Sequence, residues 1–341
     1  MKAALLYGPR DLRVVEIPDP EPASDQVTVR VMSYAPYGTD LGVYLNRGGR
    51  YPQPYPVGIG ADFSGVIDRV GSDVTNWKPG DRVAALTLAH CGRCDYCTAG
   101  MTNLCRDPAF NPPPRQVCCQ EIAPVYARKL ARLPDNVGFD DGAMLAGAAD
   151  GLAAFEKMKP APGQTVAVVG VGAMGWGTIA AARAVGLKVV AVGGTGRRAE
   201  LARIAGAEEV FAISRHDEDV KERFLARYPD GVPLVIETSA TDWGVRQSFD
   251  IVGVLGRVTL TGGGKLDLTG WDIVYREIEV FGTKANHHQE PTLELIAQGR
   301  IDLKPTITHR VSLDEAPDAF ELLVGPEAKD VGRVIIECNA P

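Results

Sequence analysis

The sequence Thr165-Val-Ala-Val-Val-Gly-Val-Gly-Ala-Met-Gly175 joins a short apolar run to three glycines, and an alanine-rich run follows. Successive valines and alanines are typical of a parallel strand that is buried on both faces. The glycines allow a sharp turn, a close approach to a pyrophosphate and tight packing of the next helix on the strand. The spacing alone also fits a plain helix entry, but the strand before it and the helix after it favour a dinucleotide site. The candidate cofactor contacts in this turn are Gly170, Gly172, Ala173, Met174 and Gly175.

The composition describes an ordinary globular protein. The chain has 341 residues, of which 45% are apolar and 23% charged, which is enough for two domains with proper cores. Its net charge of −7 argues against nucleic acid as a partner. No apolar run is long enough for a membrane span, and the N-terminus resembles no signal peptide. We therefore expect a cytoplasmic protein that acts without a membrane.

Four of the seven cysteines form a cluster with the spacing C-x2-C-x2-C-x7-C. Four thiolates at such short spacings can close on one tetrahedral Zn²⁺ and leave no open position for substrate. The predicted ion is therefore structural, the alternative being buried free thiols in a loop. Cys118, Cys119 and Cys338 lie outside the cluster, and we interpret them as small buried or half-buried residues. The predicted zinc ligands are Cys91, Cys94, Cys97 and Cys105.

The first 150 residues are rich in short strand patterns separated by glycine and proline turns. This pattern is typical of a partly open barrel or a sandwich. The predicted strands are Ala3 to Leu6, Leu12 to Ile17, Gln26 to Met32, Phe63 to Val70 and Arg82 to Leu86.

The region after the glycine turn alternates between strands and helices, which predicts a doubly wound parallel sheet. The predicted strands are Leu187 to Val192, Pro233 to Glu237, Gly256 to Thr261 and Glu279 to Phe281. The predicted helices are about Glu218 to Arg227 and Asp242 to Val252.

Several motifs carry a family resemblance that covers essentially the whole chain. They are Gly60-x-Asp-Phe-Ser-Gly-Val66, Val70-Gly71, Pro79-Gly-Asp-Arg-Val83, the glycine turn, Gly206-Ala207, Gly299-Arg-Ile-Asp-Leu-Lys-Pro305 and Leu313-Asp-Glu-Ala-Pro-Asp-Ala-Phe320. The chain thus resembles the medium-chain dehydrogenase/reductase superfamily, the relatives of zinc alcohol dehydrogenase. The resemblance implies an α/β fold, with a Rossmann doubly wound parallel sheet and a GroES-like β-barrel catalytic domain that carries a structural zinc lobe. The implied domains are 1–150 (catalytic), 151–284 (NADP-binding) and 285–341 (completing the catalytic domain), in a homodimer or homotetramer.

The positions that hold a catalytic zinc in this family carry other residues here. The family's Cys-Gly-Ser/Thr-Asp reads Tyr37-Gly38-Thr39-Asp40, and its Gly-His-Glu reads Gly60-Ala61-Asp62. The third ligand position falls near Ala146, and glycine replaces the histidine of the proton relay. Only Asp62 keeps an oxygen ligand, whereas catalytic zinc ordinarily takes three protein ligands. We therefore expect no catalytic zinc.

The resemblance leaves four candidate catalytic residues, Tyr37, Thr39, Asp62 and Asp150. Tyr37 can donate a hydrogen bond and a proton at neutral pH, and Thr39 can relay the proton. Alternatively, Tyr37 merely fills the space left by the metal. Asp150 could hold substrate or orient the nicotinamide carboxamide, or it could cap a helix.

The end of the second parallel strand indicates NADP(H) rather than NAD. An NAD enzyme would place an acid there for the ribose 2′-hydroxyl, but this chain continues Gly193-Gly-Thr-Gly-Arg197-Arg198. Thr195 and an arginine could bind the 2′-phosphate, although both arginines could also be solvated helix-start residues. The resemblance adds contacts to the nicotinamide carboxamide and the pyrophosphate. The further candidate cofactor residues are Gly193, Thr195, Arg197, Arg198, Thr261, Phe281 and Arg333.

The expected reaction is hydride transfer from NADPH to an activated carbonyl, C=C or iminium of a small organic substrate, without catalytic zinc. Two alternatives are a zinc-type alcohol or polyol dehydrogenase with altered ligands and an inactive NADPH-binding protein. The pair His287-His288 is not expected to bind metal. Five aromatics are candidates for a pocket that takes an apolar or aromatic substrate, although aromatics in loops are as often packing residues: Tyr44, Tyr51, Tyr55, Phe110 and Trp271.

Overall fold

The computed structural model describes residues 1–47, 54–85, 89–107, 117–214, 217, 219–284 and 288–339. They form two compact units. The first unit comprises Met1–Leu145, Ala285–Ala297 and Ile307–Pro341, and the second comprises Ala146–Lys284 and Gln298–Thr306. The expected domains differ from these units because residues 146–150 and 298–306 belong to the second unit. No described helix has the length and apolar character of a membrane span.

The first unit is built mainly on antiparallel strands, and β15 and β16 pair in parallel. Strand β3 is buried along most of its length because it pairs with β5 and β7 and, at its end, with β16. A small sheet has the order β2-β1-β4, and a larger one has the order β15-β16-β3-β5-β6-β8 with β7 on β3. The strands are β1 (Lys2–Gly8), β2 (Asp11–Glu16), β3 (Gln26–Tyr34), β4 (Val57–Gly58), β5 (Phe63–Val70), β6 (Arg82–Ala85), β7 (Ile122–Tyr126), β8 (Leu130–Arg132), β15 (Ile307–Ser312) and β16 (Arg333–Glu337). The helices are α1 (Gly38–Tyr44), α2 (Asp95–Thr98), α3 (Phe139–Ala143), α10 (Gln289–Ala297) and α11 (Ala316–Val324).

The core of the first unit contains the three cysteines outside the cluster. Cys118 and Cys119 are fully buried and Cys338 is 4% exposed, which confirms that they are small buried residues. They pack in one apolar cluster with Tyr34, Phe63 and other side chains of the sheets. Tyr34, the last residue of β3, is therefore part of this core.

The second unit is a six-stranded parallel sheet with helices between its strands, which confirms the predicted doubly wound fold. The strand order is β11-β10-β9-β12-β13-β14, so the order reverses between β9 and β12. Ligands in such sheets bind beyond the carboxyl ends of the strands at this reversal. The strands are β9 (Thr165–Val169), β10 (Lys188–Val192), β11 (Glu209–Phe211), β12 (Val232–Glu237), β13 (Val252–Leu260) and β14 (Glu279–Gly282). The helices are α4 (Ala146–Met158), α5 (Ala173–Ala184), α6 (Arg197–Ile204), α7 (Val220–Arg227), α8 (Asp242–Ile251) and α9 (Gly270–Val274).

Two strands of this sheet differ from the sequence prediction. Strand β11 was not predicted, because it has only three residues and its apolar pattern is short. Strand β13 begins at Val252 rather than Gly256, since Val252 pairs with Val232 before an irregularity restores the register at Arg257. Leu86 and Glu218, at the ends of two predicted elements, lie outside the described residues.

Candidate functional site

The glycine turn between β9 and α5 is shaped by close contacts at two glycines and open space at the third. A Cβ on Gly175 would lie 1.9 Å from the carbonyl oxygen of Gly170. Gly170 has a φ of +103°, and a Cβ there would lie 2.7 Å from the backbone nitrogen of Ser239. Gly172, which precedes the first residue of α5, has a φ of −106° and no atom within 4 Å of such a Cβ. Packing within the chain therefore explains Gly170 and Gly175 but not Gly172.

A loop that the sequence prediction missed supports this turn. The hydroxyl of Thr238 donates to the carbonyl oxygens of Val169 and Gly170, at 3.0 and 2.9 Å. The carboxylate of Glu237, fully buried at the end of β12, accepts the N–H groups of Ser239 and Ala240 at 2.7 and 3.1 Å. Burial raises the pKa of Glu237, and these hydrogen bonds oppose the rise. The acid is conspicuous in the sequence, but its contact with the loop depends on the pairing of β12 with β9.

The end of β10 places several of the predicted cofactor residues in one short segment. Gly193 and Gly194 have φ angles of +118° and +65°, and the exposed Thr195 follows them. Helix α6 then begins at Arg197, whose guanidinium pairs with Glu200 at 2.7 Å. The Arg197 side chain therefore has an acidic neighbour, and Arg198 is half-buried at the same helix end.

The predicted carboxamide contacts lie on the two neighbouring strands. Thr261 follows β13 and donates its hydroxyl hydrogen to the carbonyl oxygen of Glu237 at 2.7 Å. Phe281 is half-buried in β14 and lies opposite Thr259. Both residues are therefore near the carboxyl ends of parallel strands, where a dinucleotide is expected.

The four clustered cysteines converge in the structure. Their sulfur atoms all lie within 4.8 Å of one another, and in the described part of the chain this is the one such group of three or more His, Cys, Asp or Glu side chains. The backbone N–H of Cys94 donates to the Cys91 sulfur at 3.4 Å, and that of Cys91 donates to the Cys105 sulfur at 3.3 Å. Such donors stabilise thiolates, and the backbone N–H groups of Arg106 and Cys97 lower the pKa of Cys94 to about 6. Burial raises the pKa of Cys97 to about 12. A cation among the four sulfurs would favour the ionised form of each.

The loop after β3 carries Tyr37, Thr39 and Asp40. Tyr37 is half-buried and precedes the first residue of α1, and Thr39 is half-buried within that helix. Asp40 is only 3% exposed, and its carboxylate accepts the backbone N–H of Tyr37 at 3.0 Å. Burial raises the pKa of Asp40 to about 7, opposed by the Tyr37 N–H, by Tyr34 and by Arg333. The sequence indicates no role for Asp40, because nothing in the local pattern shows that its side chain is buried.

Arg333, in strand β16, lies close to Asp40 and Tyr37. The side chain is 6% exposed. Burial lowers the pKa of its guanidinium, and the opposing influences are Asp62 first, then Tyr37, Asp40 and Tyr34. Asp62 is 4% exposed, so an acid and a base share this interior. The assignment of Arg333 to a cofactor pyrophosphate stays a prediction, and the structure gives Arg333 a second group of neighbours around Tyr37.

The structure places three further candidates, Asp150, Tyr44 and Trp271, in different environments. Asp150 is the fifth residue of α4, so the alternative that it caps a helix is wrong. Tyr44 is 1% exposed with its ring 5.0 Å from that of Phe320, so its assignment to a substrate pocket is wrong. Trp271 is 63% exposed and stacks on Tyr275 at 5.1 Å.

Tyr55 and His288, which the sequence analysis singled out, are both half-buried. Tyr55 is half-buried against the core of the first unit, and His288 is half-buried just before α10. Tyr51, Phe110 and His287 lie outside the described residues.

The sequence and fold match known proteins along nearly the entire chain. Residues 23–135 match the alcohol dehydrogenase GroES-like domain family, and residues 170–298 match the zinc-binding dehydrogenase family. The chain is 31% identical to a sorbitol dehydrogenase of Bacillus subtilis, over 94% of this chain and 93% of that one. Galactitol-1-phosphate dehydrogenase of Escherichia coli is 28% identical with a TM-score of 0.86, over 99% and 100% of the two chains. A zinc-binding dehydrogenase homologue of Sinorhizobium meliloti, solved with bound NADP, is 29% identical with a TM-score of 0.86, over 98% of each chain.

Proposed function

Since this chain belongs to the medium-chain dehydrogenase/reductase superfamily of zinc alcohol dehydrogenase relatives and is an oxidoreductase, we propose that it transfers hydride between NADP(H) and a small organic substrate. The proposed acceptor is an activated carbonyl or C=C, and the proposed proton donor is Tyr37 rather than a zinc-bound group. The observation that carries this proposal is the clustering of Tyr37, Asp62 and Arg333. It is supported by Tyr37 and Ala61, and by the residues near Ala146, at the positions where the family resemblance implies metal ligands.

The open space at Gly172 supports the cofactor part of the proposal. Any residue could adopt its φ, and no neighbouring atom excludes a side chain. A glycine there is explained by a ligand that approaches the backbone at the start of α5, where the helix N-terminus favours phosphate. Gly170, Ala173, Met174 and Gly175 would complete this cradle.

The absence of an acid after Val192 supports NADP(H) over NAD, as does the bound NADP of the S. meliloti homologue. Thr195 and Arg198 are the proposed contacts to the 2′-phosphate, because Arg198 is half-buried at the start of α6 and a guanidinium binds phosphate through paired N–H groups. Substitution of Arg198 by alanine should raise the Kd for NADPH at least tenfold and leave the Kd for NADH within about twofold. Equal losses for both cofactors would contradict the assignment.

Side chains of the first unit would supply the proton that the reaction consumes. Bound NADPH would supply a hydride to the acceptor carbon, which leaves a negative charge on the carbonyl or enolate oxygen. Tyr37 would donate its phenolic proton to that oxygen, and the guanidinium of Arg333 nearby would stabilise the resulting phenolate. Thr39 would return a proton to Tyr37 from solvent. Asp62 would hold Arg333 in place, and Asp150 would contact substrate or the carboxamide.

Replacement of Tyr37 by phenylalanine tests the proton donor. We expect kcat to fall by about 10² to 10⁴ while the Kd for NADPH changes by less than about threefold. The matched control is Tyr44→Phe, since Tyr44 lies at the other end of α1 with its ring in the core. Unchanged turnover in Tyr37→Phe would remove Tyr37 from the mechanism. If the wild type oxidises NADPH with no member of a panel of enones, ketones and imines, the protein is not the proposed reductase.

The converging cysteines support a structural zinc in the first unit. Cys91, Cys94, Cys97 and Cys105 would supply four sulfur ligands, and such a site holds a loop together without contacting substrate. Metal analysis should therefore find about one zinc per chain.

The similarity to sorbitol and galactitol-1-phosphate dehydrogenases favours a second candidate, the oxidation of a polyol at a zinc ion with altered ligands. Asp62 would be one of those ligands. Two tightly held zinc ions per chain, with sorbitol oxidation that a chelator abolishes, would establish this candidate and exclude the metal-free one.

An exposed apolar surface on the second unit supports self-association. Strand β14 is an edge strand, and Val280 within it is 38% exposed. Val254, Leu255 and Tyr275 are 69%, 66% and 78% exposed, and patches of this kind mark interfaces. We propose that two copies pair there as a homodimer, as the family resemblance implies. Light scattering should give at least twice the chain mass, and a monomer at micromolar concentration would reject the proposal.

A further inference from the structure

The carboxyl group of Asp40 is buried in the core of the first unit and attached to the loop that carries Tyr37. One of its oxygens accepts the backbone N–H of Tyr37 at 3.0 Å, across the start of α1. The side chain is 3% exposed. This hydrogen bond joins the backbone of the proposed proton donor to the first turn of α1, which also contains Thr39.

This inference rests on the proposed function and concerns the regulation of the same site. We propose that Asp40 is a positioning residue: its carboxylate form holds Tyr37 in the reactive arrangement, and its acid form releases that hold. The physical reason is that an ionised carboxylate accepts an N–H hydrogen bond about twice as strongly as a neutral group does. The loss or gain of one proton at Asp40 thereby controls the geometry of Tyr37, although Asp40 itself does not contact the substrate.

The surroundings of Asp40 place this change near neutral pH. Burial in the core raises the pKa of Asp40 to about 7, while the Tyr37 N–H and Arg333 oppose the rise. Tyr34 and the thiols of Cys118 and Cys119 surround the carboxyl, and burial raises their own pKa values, so they stay neutral near pH 7. The charged and titratable groups that interact with Asp40, by element, are Tyr34 of β3, Tyr37 before α1, Cys118 and Cys119 before β7, and Arg333 of β16. Asp62, before β5, interacts with Cys118 and Arg333.

Helix α3 offers a comparison within the same unit. Asp141 has the same place in its helix, since it accepts the backbone N–H of Gly138 at 3.3 Å and is 2% exposed. No predicted catalytic residue lies at that helix start. Asp141→Asn is therefore a matched control for the general effect of removing a buried capping carboxylate.

The test places 4-fluorophenylalanine at position 37, a probe with no ionisable group, and follows its ¹⁹F signal between pH 5 and 9. We expect one pH-dependent shift with its midpoint near 7, absent from Asp40→Asn and retained in Asp141→Asn. Asparagine keeps an acceptor oxygen for the Tyr37 N–H, so the variant should fold. A shift that persists in Asp40→Asn would overturn the proposal.

Kinetics of the chain with its natural Tyr37 give the second readout. We expect kcat/KM to fall about tenfold for each pH unit below the midpoint, and Asp40→Asn to flatten this limb. An unchanged pH profile in Asp40→Asn, with activity reduced equally at every pH, would show a merely structural role and overturn the proposal. Because the ¹⁹F shift needs no turnover, a titrating signal in a protein without reductase activity would reject the proposed function and retain the control of Tyr37 by Asp40.

Discussion

Replacement of Asp40 by asparagine should change how the stability of the first unit depends on pH. The folded protein holds a proton on Asp40 up to about pH 7, whereas an unfolded chain releases it near 3.8. A raised pKa stabilises the fold most below pH 3.8, and the stabilisation is lost as pH rises to 7. The free energy of unfolding falls by about 1.4 kcal/mol per pH unit, and this slope flattens as the pH approaches the pKa of about 7. Between pH 5 and pH 8 the wild type therefore loses about 2.5 kcal/mol of stability. Asparagine has no proton to lose, so the variant should lack this dependence.

The buried thiols of the same core provide the assay. Cys118 and Cys119 react with dithiodipyridine only when the first unit opens, because both are fully buried. Mass spectrometry of the peptide that contains them gives the labelling rate of each protein, and the ratio of wild type to variant cancels the reactivity of the thiols. A change of 2.5 kcal/mol in opening free energy corresponds to an increase of this ratio by roughly 70-fold from pH 5 to pH 8.

The control for this measurement is Asp272→Asn in the second unit. Hydrogen bonds from Thr269 lower the pKa of Asp272, so this carboxyl titrates below pH 5. The ratio of the labelling rates of wild type and Asp272→Asn should therefore stay constant from pH 5 to pH 8. A ratio of wild type to Asp40→Asn that stays within about twofold across the same range would refute the reasoning, since it would mean that burial does not hold a proton on Asp40.

Three further predictions concern the cofactor, the zinc and the interface. Gly172→Ala should weaken NADPH binding at least tenfold in titrations of nucleotide fluorescence and leave the melting temperature unchanged, whereas Gly8→Ala, which is also uncrowded, should affect neither. Cys94→Ser should reduce the zinc content measured by mass spectrometry well below one ion per chain, while Cys338→Ser outside the cluster should not. Tyr275→Glu should shift the protein to monomers in analytical ultracentrifugation, and an unchanged sedimentation coefficient would place the interface elsewhere.

Local patterns in the sequence predicted most of the second unit. The run before Gly170 is buried on both faces, so its apolar composition alone indicates a parallel strand. The three-residue β11 and the irregular start of β13 escaped prediction, because each depends on pairing with a neighbouring strand rather than on its own pattern. The same reason explains Glu237, whose role as support for the turn appears only when β12 lies beside β9.

The candidate site of the first unit was only partly predictable. The motifs containing Tyr37 and Asp62 were recognised as departures from a metal-binding pattern, and the structure brings both residues close to Arg333. Nothing in the sequence placed Arg333 there, because more than 200 residues separate it from the loop that it meets. The sequence could not decide the role of Tyr44 for a related reason, because a tyrosine in a short helix fits a pocket or a core equally well.

The sequence by itself determined the fold class, the glycine turn after β9 and the spacing of the four cysteines, because each of these depends on residues that are close together in the chain. Tertiary structure decided the environment of the individual groups. It buries Asp40 and brings its carboxyl group within hydrogen-bonding distance of the Tyr37 backbone N–H. It also shows that Gly172 is the one glycine of the turn that packing does not explain. Burial and electrostatic neighbours come from segments far apart in sequence, so no local pattern could have specified them.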